Sequence, residues 1–449
     1  MNDSAKKNIV VVGAGRTGLA LATYFRRRGA QVVLSDSRPA ERIDGLPGQE
    51  SGIVLDLGGH SKEVFARADL LAISPGVPLT IAPVAAAIAR GVPVLGEIEV
   101  AFGELSAPLV AITGTNGKST TTSVMGDAFR AWGKKTFVGG NLGTPLIEAV
   151  GEEWNWLVAE ISSFQLEAID NFRPRYALLL NLTEDHLDRY PEMAAYVAAK
   201  MRIFERMTEE DVAVLNAEDP LVMAAAAPIR ARRILFSSRR LLAEGMGVDA
   251  GEIVWRLAGA ETRFPIDELQ LQGLHNVENV MAALAPPLLA GCPPATAWGA
   301  ACAFAGLPHR MTAVRRLNGV TWYNDSKGTN VGSVVKSLAG LPAPVTLIAG
   351  GKDKGGDYAP LADLVRAKVA HLIVIGQAAD RLRAALGALT DTQTAATLED
   401  AVRRAHEVTP AGGSVLLSPG CSSFDMFKSY EERGDVFVRA VRALPEEKA

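Results

Sequence analysis

Cysteine is scarce in this chain: Cys292, Cys302 and Cys421 are the only three in 449 residues. Their odd number and scattered spacing exclude a disulfide framework or a thiolate metal cluster, and suit a reducing compartment. A basic excess is missing too, since 46 Lys and Arg face 50 Asp and Glu for a net charge of −4. A polyanion such as DNA or RNA is therefore not the expected partner. No stretch of roughly 18 apolar residues is free of charges or prolines, and residues 1–7 are polar. Neither a membrane span nor a secretory leader is expected. Short repeats and low-complexity segments are also lacking. What the chain has is apolar material, 48% of its residues, in a length that suits about three domains.

The middle of that material is organised around Ile112-Thr-Gly-Thr-Asn-Gly-Lys-Ser-Thr-Thr121. The apolar run 108–112 suits a buried parallel strand, and a helical pattern starts at Ser123, so the glycine turn joins strand to helix. Gly114 and Gly117 let successive amides face one point, and the helix adds the positive end of its dipole. Lys118 would reach terminal phosphates and the Ser119 hydroxyl would meet Mg²⁺. Ile112 occupies the first glycine position of the usual G-x-x-x-x-G-K-[ST] spacing, and an ordinary glycine turn is the competing reading. A triphosphate such as ATP is the expected ligand.

Upstream, a strand at 8–12 runs into Gly13-Ala-Gly15-Arg-Thr-Gly18, a helix reaches Arg28, and a second strand at 31–34 ends in Ser35-Asp36-Ser37. Asp36 follows the last glycine by eighteen positions, where it could bind a ribose hydroxyl. The pattern fits NAD, and equally UDP, which presents the same diphosphate-ribose chemistry. Further strands at 70–74 and 92–95 close the first domain near Gly96.

Beyond the phosphate loop, the glycine turn 139–143 has Asn141 at its tip. Glu160 ends an apolar strand at 156–161, placed either to meet the metal held by Ser119 or to cap the next helix. A strand at 176–182 leads to the polar cluster of His186, followed by a helix at 191–207 in which Lys200, taken alone, is a solvated lysine. Residues 237–265 suggest a small antiparallel appendage. His275, Asn276 and Asn279 open an alanine-rich helix, either as caps or with the Asn279 amide on a base. After Gly306, strands at 321–324, 345–349, 372–375 and 415–417 each end in a glycine or polar turn. Lys327 and Lys354 lie in two of these loops, where a ligand competes with a solvated surface.

Gly114-Thr-Asn-Gly117-Lys118-Ser119-Thr120, Glu160-Ile-Ser-Ser-Phe-Gln-Leu166, Asn181-Leu-Thr-Glu-Asp-His186-Leu-Asp188, His275-Asn276-x-x-Asn279, His309-Arg310 and Asp325-Ser326-Lys327-x-Thr329-Asn330 together resemble the Mur ligases of bacterial cell-wall synthesis. The resemblance spans the whole chain, and the Ser-Ser-Phe-Gln-Leu and Ser-Pro-Gly-Cys-Ser-Ser-Phe-Asp runs are similar to the branch that adds D-glutamate. It implies an α/β chain of three domains, each on a doubly wound, mostly parallel sheet. These are a Rossmann-like UDP-substrate domain at 1–96, a central P-loop ATPase-like domain at 97–305, and a Rossmann-like C-terminal domain at 306–449 that binds the amino acid and closes over ATP.

The activity so implied is ATP-dependent ligation. The carboxylate of UDP-N-acetylmuramoyl-L-alanine is phosphorylated, and the acyl phosphate is attacked by the amine of D-glutamate. Anion meets anion in the first step, so two Mg²⁺ ions and lysines must neutralise the pair. The resemblance gives Lys118, Glu160, His186 and Lys200 catalytic roles, with Ser119, Glu160 and His186 on metal and a carbamylated Lys200 reaching it through water. Residues 114–120 (Gly114, Thr115, Asn116, Gly117, Lys118, Ser119 and Thr120) with Asn279, Arg310 and Asp325 would hold ATP. Gly15, Arg16, Thr17, Asp36, Ser37, Gly76 and Asn141 would hold the UDP substrate. Lys327, Thr329, Lys354, Ser423 and Tyr430 would hold D-glutamate, Tyr430 departing from an expected phenylalanine. A cytoplasmic monomer is implied, with no nucleic acid or membrane partner. An alanine-adding Mur ligase, a folylpolyglutamate synthase, a non-catalytic nucleotide-binding regulator and an NAD-dependent oxidoreductase stand as alternatives; the last leaves the Lys118 loop unexplained.

Overall fold

A computed structural model describes residues 6–187, 189–271, 273–353 and 355–446. Three mostly parallel sheets with intervening helices make up the chain. The first contains β1 (Asn8–Val12), β2 (Gln31–Asp36), β3 (Val54–Leu57), β4 (Leu70–Ile73) and β5 (Val94–Gly96), in the order β3-β2-β1-β4-β5, all parallel. β1 is buried along Ile9–Val12 because helices cover both faces, which is why it is an unbroken apolar run and not an alternating one.

The second sheet has nine strands: β6 (Leu109–Thr113), β7 (Thr136–Gly140), β8 (Trp156–Glu160), β9 (Tyr176–Leu179), β10 (Val212–Asn216), β11 (Arg232–Phe236), β12 (Gly245–Asp249), β13 (Glu252–Leu257) and β14 (Ala260–Pro265). Their order is β14-β13-β12-β11-β10-β9-β6-β8-β7. β6 lies fully buried between β8 and β9, so the chain reverses direction across the sheet at its carboxyl end. In such a sheet the crevice at that reversal is where a ligand fits. The antiparallel strands expected as an appendage are instead a continuation of this sheet, since Phe236 of β11 pairs with Met246 of β12.

The third sheet holds β15 (Thr312–Leu317), β16 (Val320–Asn324), β17 (Val345–Gly350), β18 (Val369–Ile375), β19 (Asp391–Thr394) and β20 (Ser414–Leu417), ordered β15-β16-β20-β17-β18-β19 with only β15 antiparallel. β3, β15 and β19 have no counterpart among the expected strands. Two other expectations were too long: β9 stops at Leu179, and the helix of Lys200 runs Met193–Met201 before a 3₁₀ turn at Arg202–Phe204.

The described residues form two compact units. One reaches to Asn181 and takes in Tyr196–Asp267 and Glu278–Ala301; the other comprises Leu182–Ala195, Glu268–Val277 and the chain from Cys302 onward. In the first unit, the helix Glu97–Phe102 links the first two sheets through buried carboxylates. Glu99 accepts the consecutive amides of Asp170, Asn171 and Phe172 at 2.9, 2.9 and 3.0 Å, and Glu97 accepts Ile147 N at 2.6 Å. Hydrogen bonds to an ionised carboxylate are about twice as strong as neutral ones. Among the described residues no helix is long and apolar enough to cross a membrane.

Candidate active site

The turn after β6 is shaped by its glycines. Gly114 and Gly117 have φ of +144° and +86°, and a Cβ on Gly117 would lie 2.1 Å from Asn279 Oδ1. The helix Lys118–Ala131 starts there, so its first amides point out of the loop. Asn181, just past β9, fastens the loop from the neighbouring strand. Its Oδ1 accepts Asn116 N at 2.8 Å, its Nδ2 donates to Asn116 O at 3.0 Å, and its carbonyl accepts Thr115 N at 2.9 Å. Lys118 folds over the turn, donating from Nζ to Gly114 O and Thr115 O at 2.9 and 2.7 Å.

Glu160, at the end of β8, is 2% exposed. Ser119 Oγ donates to its Oε2 at 2.5 Å, and Asn141 Nδ2 to its Oε1 at 2.6 Å. Ser162, not Glu160, caps the following helix. Asn141, expected at the UDP substrate, is therefore joined to the phosphate-loop carboxylate, while Arg16 Nη1 reaches the same turn at Gly143 O, 2.8 Å away.

Lys200 is the largest departure from residue-by-residue reading. It is 1% exposed, its Nζ donates to Gly114 O at 2.8 Å and lies 4.6 Å from the centre of the Tyr196 ring. Tyr196, one helical turn earlier, places its hydroxyl 3.2 Å from Thr115 Oγ1. The burial of Lys200 at this loop, reached from a helix distant in sequence, is the opposite of the solvated lysine that its local sequence suggests. Asn279, buried near Gly117, has its carbonyl 3.4 Å from Thr121 Oγ1; Thr120 is buried in the same helix. Sequence reasoning did not assign roles to Asn181 and Tyr196. A polar residue ending an apolar strand, and an i, i+4 relation to Lys200, were the available signals.

Residues expected at the UDP substrate follow the carboxyl ends of three adjacent strands. Gly15, Arg16 and Thr17 follow β1, Asp36 and Ser37 end β2, and Gly76 follows β4. Gly18 lets the first helix approach: a Cβ there would stand 1.8 Å from Gly13 O. Asp36 Oδ2 accepts Ala14 N at 2.7 Å, and Arg38 donates to both its oxygens. Burial opposes the charge, but the Arg38 and Ala14 hydrogen bonds outweigh it and hold the carboxyl down at about 2. Asp36 thus sets the shape of the turn, and the expected ribose contact would share a carboxylate that is already bonded. Ser37 and Gly76 are exposed.

The other expected residues are in the second unit. His186 adopts a left-handed φ of 57°, its Nε2 lying 3.7 Å from Asp185 Oδ2. With Thr329 and Asn330 it lines a cavity of about 360 Å³, and Asn330 Nδ2 donates to Asp185 Oδ2 at 3.0 Å. Asp325 is buried and accepts Ser337 Oγ and Ser418 Oγ at 2.7 and 2.8 Å. Burial raises it to about 6 against the pull of those hydroxyls and of Arg310. Lys327 Nζ stands 3.7 Å from the centre of the Tyr430 ring, and Ser423 is buried. Lys354 lies outside the described residues.

Glycines at a sheet reversal, a lysine folded over them and a buried hydroxyl–carboxylate pair define a phosphate-binding α/β protein. The donor set also fits Mg²⁺, which binds through one or two carboxylates together with substrate phosphates; among the described residues no group of three or more His, Cys, Asp or Glu converges as a closed metal cage.

Comparison with known proteins carries this further. The Mur ligase MurD-like N-terminal domain matches residues 7–96, the Mur ligase middle domain 112–286, and the Mur ligase glutamate ligase domain 309–421. The chain belongs to the Mur ligase family, whose members use ATP and Mg²⁺. It is 64% identical over 446 residues to the UDP-N-acetylmuramoylalanine–D-glutamate ligase of Syntrophotalea carbinolica, covering 99% of each chain. The ligase of the same name from Geotalea uraniireducens is 55% identical over 442 residues, 98% of each. Among solved structures, MurC of Thermotoga maritima aligns with a TM-score of 0.61 at 19% identity, covering 97% of this chain and 99% of that one. MurF of Acinetobacter baumannii gives 0.61 at 16%, covering 98% and 91%; these two share the fold.

Proposed function

We propose that this chain is an ATP-dependent amide ligase that joins D-glutamate to UDP-N-acetylmuramoyl-L-alanine, releasing ADP and phosphate, in peptidoglycan precursor synthesis. The observation that carries the assignment of the chemistry is the buried Ser119–Glu160 pair beside the Lys118 turn. In this reading residues 1–96 hold the UDP substrate, 97–305 the ATP, and 306–449 the amino acid, in a cytoplasmic monomer.

When bound, ATP and Mg²⁺ supply the phosphoryl group and the positive charge that lets a carboxylate approach it. The protein's share is positioning and electrostatics. Lys118 leaves the carbonyls of Gly114 and Thr115 for the terminal phosphates, while loop amides and the helix start hold the remainder. Ser119 and Glu160 would hold one Mg²⁺, which supplies positive charge to the phosphates, and His186 would serve a second. Lys200, held beside the loop by Gly114 O, would be carbamylated there: the ammonium loses one proton, the freed amine bonds the carbon of carbon dioxide and loses a second, and the carbamate anion that results would help to balance the metal's charge. Thr120 and Asn279 would complete the nucleotide site of the first unit, and Arg310 and Asp325 are the residues that the family resemblance gives to ATP in the second. Lys327, Thr329, Lys354, Ser423 and Tyr430 receive D-glutamate, whose two carboxylates call for cations and hydroxyl donors.

Phosphate release tests this directly. It is expected to require Mg²⁺, UDP-N-acetylmuramoyl-L-alanine and D-glutamate together; turnover with L-alanine and the unsubstituted UDP-muramic acid would instead mark an alanine-adding ligase.

A further inference from the structure

Arg433 is 1% exposed, one of the largest fully buried side chains in the protein. Its Nε donates to Ser326 Oγ at 3.0 Å and its Nη2 to Ser326 O at 2.8 Å. Its Nη1 donates to Cys421 O and Ser422 O at 3.2 and 3.3 Å. Every acceptor is neutral, and among the described residues no carboxylate forms an ion pair with it. Burial pulls the guanidinium down to about 10, so it remains charged at neutral pH.

The strips that this fork joins run straight into the proposed amino-acid site. Ser326 precedes Lys327, and Cys421 and Ser422 precede Ser423. One turn earlier on the same helix, Tyr430 holds its ring 3.7 Å from Lys327 Nζ, while its carbonyl accepts Ser326 Oγ at 2.8 Å. The strip after β17 is pressed against the same point: a Cβ on Gly351 would meet Ser422 O at 2.3 Å and Arg433 Nη1 at 3.1 Å.

We infer that Arg433 is a positioning residue for the incoming amino acid, fixing the spacing of the Lys327 and Ser423 loops while its charge draws the acidic substrate. This rests on the assignment of Lys327, Thr329 and Ser423 to D-glutamate. A displacement of about 1 Å at such a site costs on the order of 100-fold in rate, and an interior charge hydrogen-bonded only to neutral acceptors, with the Asp425 and Asp325 carboxylates bearing on it from further off, acts further than one in water.

Full-length Arg433→Met, Arg433→Lys and Ser326→Ala variants test it, each first checked for a cooperative thermal transition. In Arg433→Met the KM for D-glutamate should rise about 10-fold or more, with KM for ATP and for the UDP substrate within about twofold. Arg433→Lys keeps the charge without the planar fork, so about a threefold rise is expected. Ser326→Ala, which keeps the guanidinium and its three carbonyl contacts, should give a smaller selective rise and carries the test with the lysine variant if Arg433→Met does not fold. Folded variants whose D-glutamate KM is unchanged, or whose three KM values rise equally, would overturn the inference. A wild-type chain that ignores D-glutamate would remove the underlying assignment, a failure visible before any variant is compared.

Discussion

Ser119 Oγ and Glu160 Oε2 stand 2.5 Å apart at the ends of a helix start and a strand that are 41 residues apart in sequence. In the proposed reading a divalent cation would take both oxygens in place of this hydrogen bond. Glu160→Gln keeps the shape and removes the charge. It should lower kcat by about 100-fold or more, shift the Mg²⁺ activation curve to higher concentration, and leave the melting temperature nearly unchanged. Wild-type phosphate release in this variant would mean that Glu160 only organises the loop.

The glycine turn with Lys118 was legible because a phosphate loop is a short continuous motif, Glu160, 41 residues from Ser119, because it ends an apolar parallel strand, and the buried strands because they are unbroken apolar runs. The edge strands β3, β15 and β19 were not. β19 is Asp-Thr-Gln-Thr, with no apolar residue, and β15 contains Arg315 and Arg316; each is a strand because a neighbour offers a hydrogen-bonding edge. β3 pairs only with β2, and Val54 and Leu55 are 60% and 40% exposed, so its apolar run does not mark a core. Long-range polar contacts were equally silent: nothing in local sequence takes Lys200 to Gly114 O, Asn141 to Glu160, or Arg433 to Ser326.

Lys200 gives the sharpest separation between structure and chemistry. Lys200→Ala should abolish ligation, and short-chain carboxylic acids added to the assay should restore part of it by taking the carbamate's place. Phosphate release with and without added acetate checks this. Full activity without it would leave the buried lysine as a loop fastener alone.

Glu97 and Asp36 should respond to pH in opposite senses. Burial raises Glu97 from 4.5 to about 7 despite the Ile147 amide and Gln165. Its folded form therefore binds more protons than the unfolded chain, and stability falls as pH rises from about 4.5 to about 7. The penalty is on the order of 3 kcal/mol above that window. Asp36, held down at about 2 from 3.8, contributes stability above the higher value that is lost as pH falls toward the lower. Glu97→Gln keeps an acceptor for Ile147 N, so its melting temperature should exceed wild type at pH 8 and converge with it near pH 4. Parallel melting curves across that range would show that Glu97 is not the titrating group.

Gly117 and Asn279 are matched by shape. A Cβ at Gly117 would stand 2.1 Å from Asn279 Oδ1, and φ at Gly117 is +86°, where a side chain adds strain of about 1–2 kcal/mol. Gly117→Ala must push Asn279 aside or tilt the helix Lys118–Ala131, and either movement spoils the alignment of the loop amides. The variant should melt lower and show a KM for ATP raised about 10-fold or more. If the collision is the cause, adding Asn279→Ala should return part of the lost stability, although ATP affinity stays poor because the amide is gone. A double-mutant cycle of melting free energies measures this coupling. Losses that simply add would show that the left-handed backbone alone, and not the amide opposite, requires glycine at this position.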